Sequence, residues 1–471
     1  MNAGRRVADE PPGPPGLSPL ARLLQEVAAS PARAVAASFV ALIAAGTLLL
    51  MLPLSSRAQG PMPFVDALFT ATSACCVTGL IVVDTGKYFT AFGQVVILLL
   101  IQLGGLGIMT LSAFVGLLVR RRLSLRSSRA LRDILDLQFS QEATAILWAI
   151  VRLTLAFEAA GAAVLLFVFV QREPTLARAA YSAVFHSVSA FCNAGFSLYS
   201  DSMTAFRGSL LANATMAGLI VAGGLGFVVL RDVYGLARAR LRGERQRMSV
   251  QTRLMLYIAG ALIFGGALAF ALAERGGVLR GLDGEEAALA ALFQSITART
   301  AGFNTVDISA LGAPALLLLI CLMIIGAGPG STGGGIKTST VGIILASVRS
   351  MVSRREDVEI FRRRLPPATV RKAFVVAAAY LGYLVLGLGL LLVVEHASKA
   401  RFLDMFFEAV SAMGTVGLST GVTPTLSPAG RLVVVALMYG GRVGPLTLVA
   451  AMGQPAAPPA YRYAEEPVMI G

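Results

Sequence analysis

The sequence predicts an all-α membrane protein: eight transmembrane helices in four membrane–pore-loop–membrane repeats around a pseudo-fourfold pore. Three observations carry this. Of 471 residues 56% are hydrophobic and 14% charged, and the mean hydropathy is +0.74. Eight apolar runs reach the ~20 residues that a helix needs to cross ~30 Å of hydrocarbon. Between them one motif is written four times: FTATSACCVTGL (69–80), FHSVSAFCNAGF (185–196), FQSITARTAGF (293–303) and FEAVSAMGTVGL (407–418).

The elements follow in order. Residues 1–33, with MNAGRR and PPGPPG but no apolar leader segment, are expected to be a disordered cytoplasmic tail. Repeat 1 (34–132) holds a span near 34–55, a dip opened by Asp66, and a return span near 92–119. A helix from Phe69 to Val77 is too short to cross, so its C-terminal end points into the membrane. The partial negative charge there favours a cation just beyond it. Val77, Thr78 and Gly79 follow as extended backbone, with Gly79 free to take φ values that other residues avoid. Irregular backbone at this depth is tolerated where it is buried in protein or lines water.

Repeat 2 (133–247) has spans near 143–170 and 208–230 around a dip ending Asn193-Ala194-Gly195. Repeat 3 (248–365) has spans near 254–273 and 313–348 around Thr300-Ala301-Gly302. Repeat 4 (366–453) has spans near 373–394 and 432–452 around Thr415-Val416-Gly417, and 454–471 forms a second cytoplasmic tail. Each return span carries a patch of small residues 23 to 28 positions after its dip glycine, which strengthens the repeat.

A net charge of +14 raises the question of nucleic acid, and its distribution answers it. The connections at 120–132, 231–253 and 349–372 hold 21 of the 40 Lys and Arg, against 11 in the four motif-bearing loops. Basic connections stay cytoplasmic. Both termini are therefore expected inside and the dips enter from outside; membrane lipid is the secondary partner of these charges. Cys75, Cys76, Cys192 and Cys321 have no CxxC spacing and no companion histidines, and are expected to be packing residues.

One span contains a stretch that breaks a helix. Gly326, Gly328, Pro329, Gly330, Ser331, Thr332, Gly333, Gly334 and Gly335 place six glycines and a proline within ten residues, at ~1 and ~3 kcal/mol each in a helix interior. A phosphate-binding loop needs Lys directly after the last glycine, and Ile336 stands between Gly335 and Lys337. The stretch 326–337 is expected to be an intramembrane loop lining a cavity, and a gate. Lys337 and Arg442 are the cations beside it. Intramembrane charges face a bundle interior or a water-filled path; Arg442, between glycines, is expected to pair with the loop's carbonyls or to set a barrier to cations.

A dehydrated cation needs several oxygens at fixed radius, and rings of backbone carbonyls supply them without net charge. Val77, Thr78, Asn193, Ala194, Thr300, Ala301, Thr415 and Val416 are all neutral, so no carboxylate ring is present at these positions. Cation over anion follows; potassium over sodium does not follow from residue type.

With these motifs, GPGSTGGGIKT and the terminal GGRVGPL, the chain resembles the Trk/Ktr/HKT superfamily of potassium transporters over about residues 34–452, nearest its KtrB branch. The resemblance implies a filter glycine in each repeat (Gly79, Gly195, Gly302, Gly417), with K+ bound in the pore, no organic cofactor and a gating loop at 326–337. It also implies a homodimer in the cell inner membrane, with a cytoplasmic ring of nucleotide-binding, KtrA/TrkA-like regulatory subunits beneath it. Glycine at all four positions goes with potassium preference in that family, and serine at the first with sodium permeation. The third dip departs from the pattern: it is one residue shorter, and Arg299 precedes its filter residues. Arg299 is expected to pair with an acidic group behind the short helix.

The alternative is a sodium-coupled secondary transporter with a broken-helix substrate site. Such folds break two paired spans, whereas the sequence shows four dips and one interrupted span. A membrane enzyme is more distant, because His186, His396 and Glu158 form no catalytic constellation.

Overall fold

The computed structural model describes residues 31–445 apart from 59 and 125–128, together with 447 and 466; for 31 and 108–143 it describes the backbone alone. The expected tails fall almost wholly outside the described residues. The first helix nonetheless begins at Pro31, so 31–33 belong to it and not to the tail.

The helices group in fours of a kind. The lead helices are α1 (Pro31–Leu50), α4 (Arg129–Phe169), α8 (Val250–Glu274) and α12 (Pro367–Val394). Each is followed by a short motif helix: α2 (Phe64–Cys75), α5 (Leu176–Phe191), α9 (Gly284–Thr297) and α13 (Phe402–Gly414). Return helices follow: α3 (Ala91–Ser124), α6 with α7 (Leu210–Leu225, Phe227–Leu241), α10 with α11 (Ala313–Ile324, Thr338–Val352) and α14 (Pro428–Val443). Among the described residues four helices are long and apolar enough to cross a membrane, and they are the four lead helices; α6 with α7 makes a fifth if the bent pair is one span. Their outward faces carry exposed Phe167, Phe264, Leu268, Leu390 and Val393, as expected for contact with lipid.

Capping chemistry sets the motif helices. Asp66 and Asp404 lie in the first turns of α2 and α13, and Glu285 and Glu286 in that of α9, where the helix dipole favours negative charge. Thr175 caps α5 by accepting from the Arg178 N–H at 3.3 Å. The aromatic that opens each motif is an anchor: Phe69, Phe185, Phe293 and Phe407 are all buried, as are Leu80, Phe196, Phe303 and Leu418 after the glycines. At ~25 cal/mol per Å2 each such ring contributes several kcal/mol of burial.

Packing between units is cyclic. The return helix of each unit lies against the motif helix of the next: α3 on α5, α6 on α9, α10 on α13, and α14 on α2. The last contact closes the circle. Arg431, at the start of α14, pairs with Asp66 of α2, and the Tyr439 hydroxyl donates to the Ala36 carbonyl at 2.9 Å.

Three features differ from expectation. The connection at 120–132 is helical where described, since α3 runs to Ser124 and α4 starts at Arg129. The fold is not purely helical, because Glu359–Ile360 and Arg363–Arg364 pair as a small hairpin whose turn residues Phe361 and Arg362 are both left-handed. A second return span is also broken: at Gly226 (φ +86°) the chain turns by 107° between α6 and α7. The partner in this bend is the glycine-rich stretch of the third unit. Gly328 N–H donates to Gly224 O at 2.8 Å, and Phe227 N–H to Gly330 O at 3.3 Å.

Candidate functional site

The four dip glycines meet on one axis. A Cβ placed on Gly79 would strike the Ala194 carbonyl oxygen, one on Gly195 the Ala301 oxygen, one on Gly302 the Val416 oxygen, and one on Gly417 the Thr78 oxygen. The order 79, 195, 302, 417 and back to 79 is a closed ring. All four glycines have positive φ, from +70° to +94°. Each therefore excludes a side chain twice, by backbone conformation and by contact with its neighbour.

The residue two before each glycine is also left-handed: Val77 (φ 55°), Asn193 (60°), Thr300 (77°) and Thr415 (50°). The expectation of plainly extended strands is corrected here. Left-handed non-glycine residues store roughly 1–3 kcal/mol each, held by the surrounding bonds. Ser73 Oγ accepts from Gly79 N–H and Ser411 Oγ from Gly417 N–H, both at 3.1 Å. Ser189 Oγ donates to Phe196 O at 2.8 Å, and Thr297 Oγ1 to Phe303 O at 2.6 Å. Thr297 thus does in the shorter third dip what Ser189 does in the second. The missing residue falls between Thr297 and Thr300, and the ring register is kept.

The carbonyls of Val77, Thr78, Asn193, Ala194, Thr300, Ala301, Thr415 and Val416 accept no hydrogen bond among the described residues. All eight residues are fully buried. Buried carbonyls are nearly always paired, so eight unpaired in one place call for a ligand.

At the glycine end the ring opens into a cavity of about 310 Å3 lined by all four glycines, by Asp84 and Asp307, and by no basic residue. Such a mouth draws cations. At the other end lies the glycine-rich stretch. A Cβ on Gly333 would meet the Thr300 hydroxyl, and one on Gly334 the Thr415 hydroxyl. Between α10 and α11 this stretch is held by Gly326 N–H to Ile336 O at 3.0 Å and Ile336 N–H to Ile324 O at 3.1 Å. Lys337 Nζ donates to Gly333 O at 2.5 Å and to Gly334 O at 3.5 Å. Buried Arg442 donates to Thr332 O and, at 2.8 Å, to Gly104 O. Ser331 Oγ donates to Gly328 O at 2.6 Å, while Pro329, Gly330 and Gly335 shape the turn next to Gly226 and Gly326.

The small-residue patches sit under the ring. Gly104, Gly223 and Gly441 each lie so close to a motif-helix carbonyl (Cys75, Phe191 and Met413) that a Cβ would collide with it. Cys75, Cys76 and Cys192 are buried around this point, whereas Cys321 is exposed. Arg299 corrects a further expectation. It is buried, but among the described residues it has no carboxylate partner, and its Nε has no acceptor.

Sequence reasoning missed two braces. His186 Nε2 meets Ser197 Oγ at 2.9 Å, and Glu408 accepts from Ser419 and, at 3.0 Å, from Thr423. Both braces join the residue after the motif aromatic to the serine two past the glycine. The shared position was the available signal. Glu408→Ala removes the shared acceptor of the half-buried Ser419 hydroxyl and the buried Thr423 hydroxyl, of which Thr423 can still donate to Ser419 Oγ at 3.1 Å. The variant is expected to lower stability by about 1–2 kcal/mol, whereas Glu408→Gln keeps an acceptor and loses less. Thermal unfolding in detergent measures the difference; equal midpoints for both variants would remove the brace.

Comparisons with known proteins give the family and the overall fold. The family model described as TrkH, cation transport protein, matches residues 20–456. The chain belongs to the TrkH family of cation transport proteins. It is a family of transporters and not of enzymes. The Ktr system potassium uptake protein B of Vibrio alginolyticus is 39% identical, over 93% of this chain and 94% of that protein. The potassium/sodium uptake protein NtpJ of Enterococcus hirae is 36% identical, over 94% and 97%. The crystal structure of the potassium transporter TrkH from Vibrio parahaemolyticus covers 89% of this chain and 84% of that one with a TM-score of 0.69; at 20% identity it speaks for the fold.

Proposed function

We propose that this TrkH-family chain is a potassium uptake protein whose four dips form a carbonyl-lined selectivity filter. The observation that carries the reading is the set of eight unpaired buried carbonyls in a closed ring. Carbonyl rings replace the hydration shell of a monovalent cation. The filter residues are Val77, Thr78 and Gly79, Asn193, Ala194 and Gly195, Thr300, Ala301 and Gly302, and Thr415, Val416 and Gly417. Residues 326–337 act as the gate, with Lys337 and Arg442 holding its carbonyls. The four units (34–132, 133–247, 248–365, 366–453) contribute eight spans, two of them bent or broken, with both termini on the cytoplasmic side of the inner membrane. The names of the relatives support potassium as cargo and a system of more than one component; the homodimer on a ring of nucleotide-binding subunits is part of this proposal and rests on the family resemblance alone.

The break at Gly226 favours the second reading, a sodium-coupled transporter, more than the sequence does, because two spans are now broken. Rubidium uptake into proteoliposomes of the purified protein separates the two. Uptake driven by the rubidium gradient alone is the expected result. Uptake that requires a sodium gradient supports the coupled transporter, and no cation uptake in either case overturns both.

A further inference from the structure

A second cavity lies on the same face as the mouth of the ring. It has a volume of about 470 Å3, is formed between the first two units, and is lined by Arg57, Arg172 and Arg178 together with Glu173, Asp201 and Tyr199. The three guanidinium groups come from three separate segments: the turn after α1, the end of α4 and the first turn of α5. Two carboxylates, Glu173 and Asp201, share the cavity with them and leave an excess of one positive charge, and among the described residues Asp201 forms no ion pair. Glu173 is occupied by the Tyr199 hydroxyl at 2.9 Å and Ser182 Oγ at 3.2 Å, and reaches Arg178 only at 4.0 Å. Arg172 lies over the Phe206 ring, 4.9 Å from its centroid. Among the described residues neither Arg57 nor Arg172 has a carboxylate partner. Beside the cavity, Phe167, Val170 and Leu176 point outward and are 69%, 46% and 66% exposed. They mark the edge of the hydrocarbon, which sets the arginines at headgroup level.

We propose that this cavity is a binding site for a phosphate group, presented by a boundary phospholipid whose acyl chains lie along α4. Planar guanidinium forks match phosphate oxygens, and the volume suits a headgroup. The adjoining apolar strip of α4 favours a lipid over a free anion. Occupancy bears on the ring through Tyr199, which also lines its mouth. Tyr199 stacks on His186 with centroids 4.9 Å apart, and His186 holds Ser197, two residues past Gly195.

The test reads binding and does not depend on ion flux, so its failure leaves the transport reading standing. Delipidated wild-type protein, an Arg57→Ala/Arg172→Ala double variant and an Arg275→Ala control are titrated with phosphatidylglycerol and followed by native mass spectrometry. All three positions are exposed, so folding should be retained. The double variant is expected to bind the tightest lipid about thirtyfold more weakly, the control to match wild type, and inorganic phosphate to compete. Phosphate binding that depends on the two arginines, without lipid binding, would keep the phosphate chemistry and overturn the lipid as its source. Equal binding of both ligands by wild type and double variant overturns the site.

Discussion

Gly79→Ser is expected to leave the fold intact and to cut the preference for potassium over sodium by about tenfold or more. The residue is at φ +94°, and a Cβ there meets the Ala194 carbonyl oxygen and comes to 3.0 Å from the Gly195 Cα. An L-residue at such a φ costs at least about 1 kcal/mol. The collision can be relieved only by moving one of the carbonyls that define the ring's radius. A tenfold change corresponds to about 1.4 kcal/mol, within reach of a displacement on one of four sides. The ring is cyclic, so serine at Gly195, Gly302 or Gly417 should act in the same direction. Gly389→Ala is the control, since a methyl there meets nothing within 4 Å. Competing rubidium and sodium uptake by the two variants measures the effect. An unchanged ratio in Gly79→Ser would take the glycine ring out of the selectivity argument.

The ring was legible in the sequence because its causes are local. An aromatic anchor, a helix too short to cross and one glycine recur in the same order, at the same spacing in three repeats and one residue closer in the third. That recurrence points to Gly79, Gly195, Gly302 and Gly417 as equivalent positions. Features set by distant contacts were not legible. Val77, Asn193, Thr300 and Thr415 are left-handed without being glycine, because Ser73, Ser189, Thr297 and Ser411 fasten the chain that follows them. The bend at Gly226 depends on bonds to Gly328 and Gly330, about a hundred residues on, and apolar periodicity in α6 and α7 carries no trace of it. Arg299 shows the converse. Its charge suggested an ion pair, but it is buried just past the end of α9, where among the described residues no carboxylate pairs with it.

Arg442→Ala is expected to raise potassium flux in the absence of any cytoplasmic partner by about ten- to a hundredfold. The guanidinium ties three elements together: α14, on which it sits, the glycine-rich stretch through Thr332 O, and α3 through Gly104 O. Each acceptor is a backbone carbonyl, so the alanine variant strands two buried acceptors and leaves no unpaired charge. Hydrogen bonds to a charged donor are worth about 1.5–3 kcal/mol. If they hold the closed loop more than the open one, their loss shifts that equilibrium by the same amount, which gives the stated range. Lys337→Gln removes a cation that bonds only within the loop, to Gly333 and Gly334, and should act more weakly. Arg442→Lys keeps the charge without the fork and should fall between wild type and alanine. Liposome flux of the three variants, with thermal unfolding beside it, tests the order. A flux in Arg442→Ala at or below wild type, with the fold retained, would mean that the arginine keeps the path open, and the loop would lose its assignment as the gate.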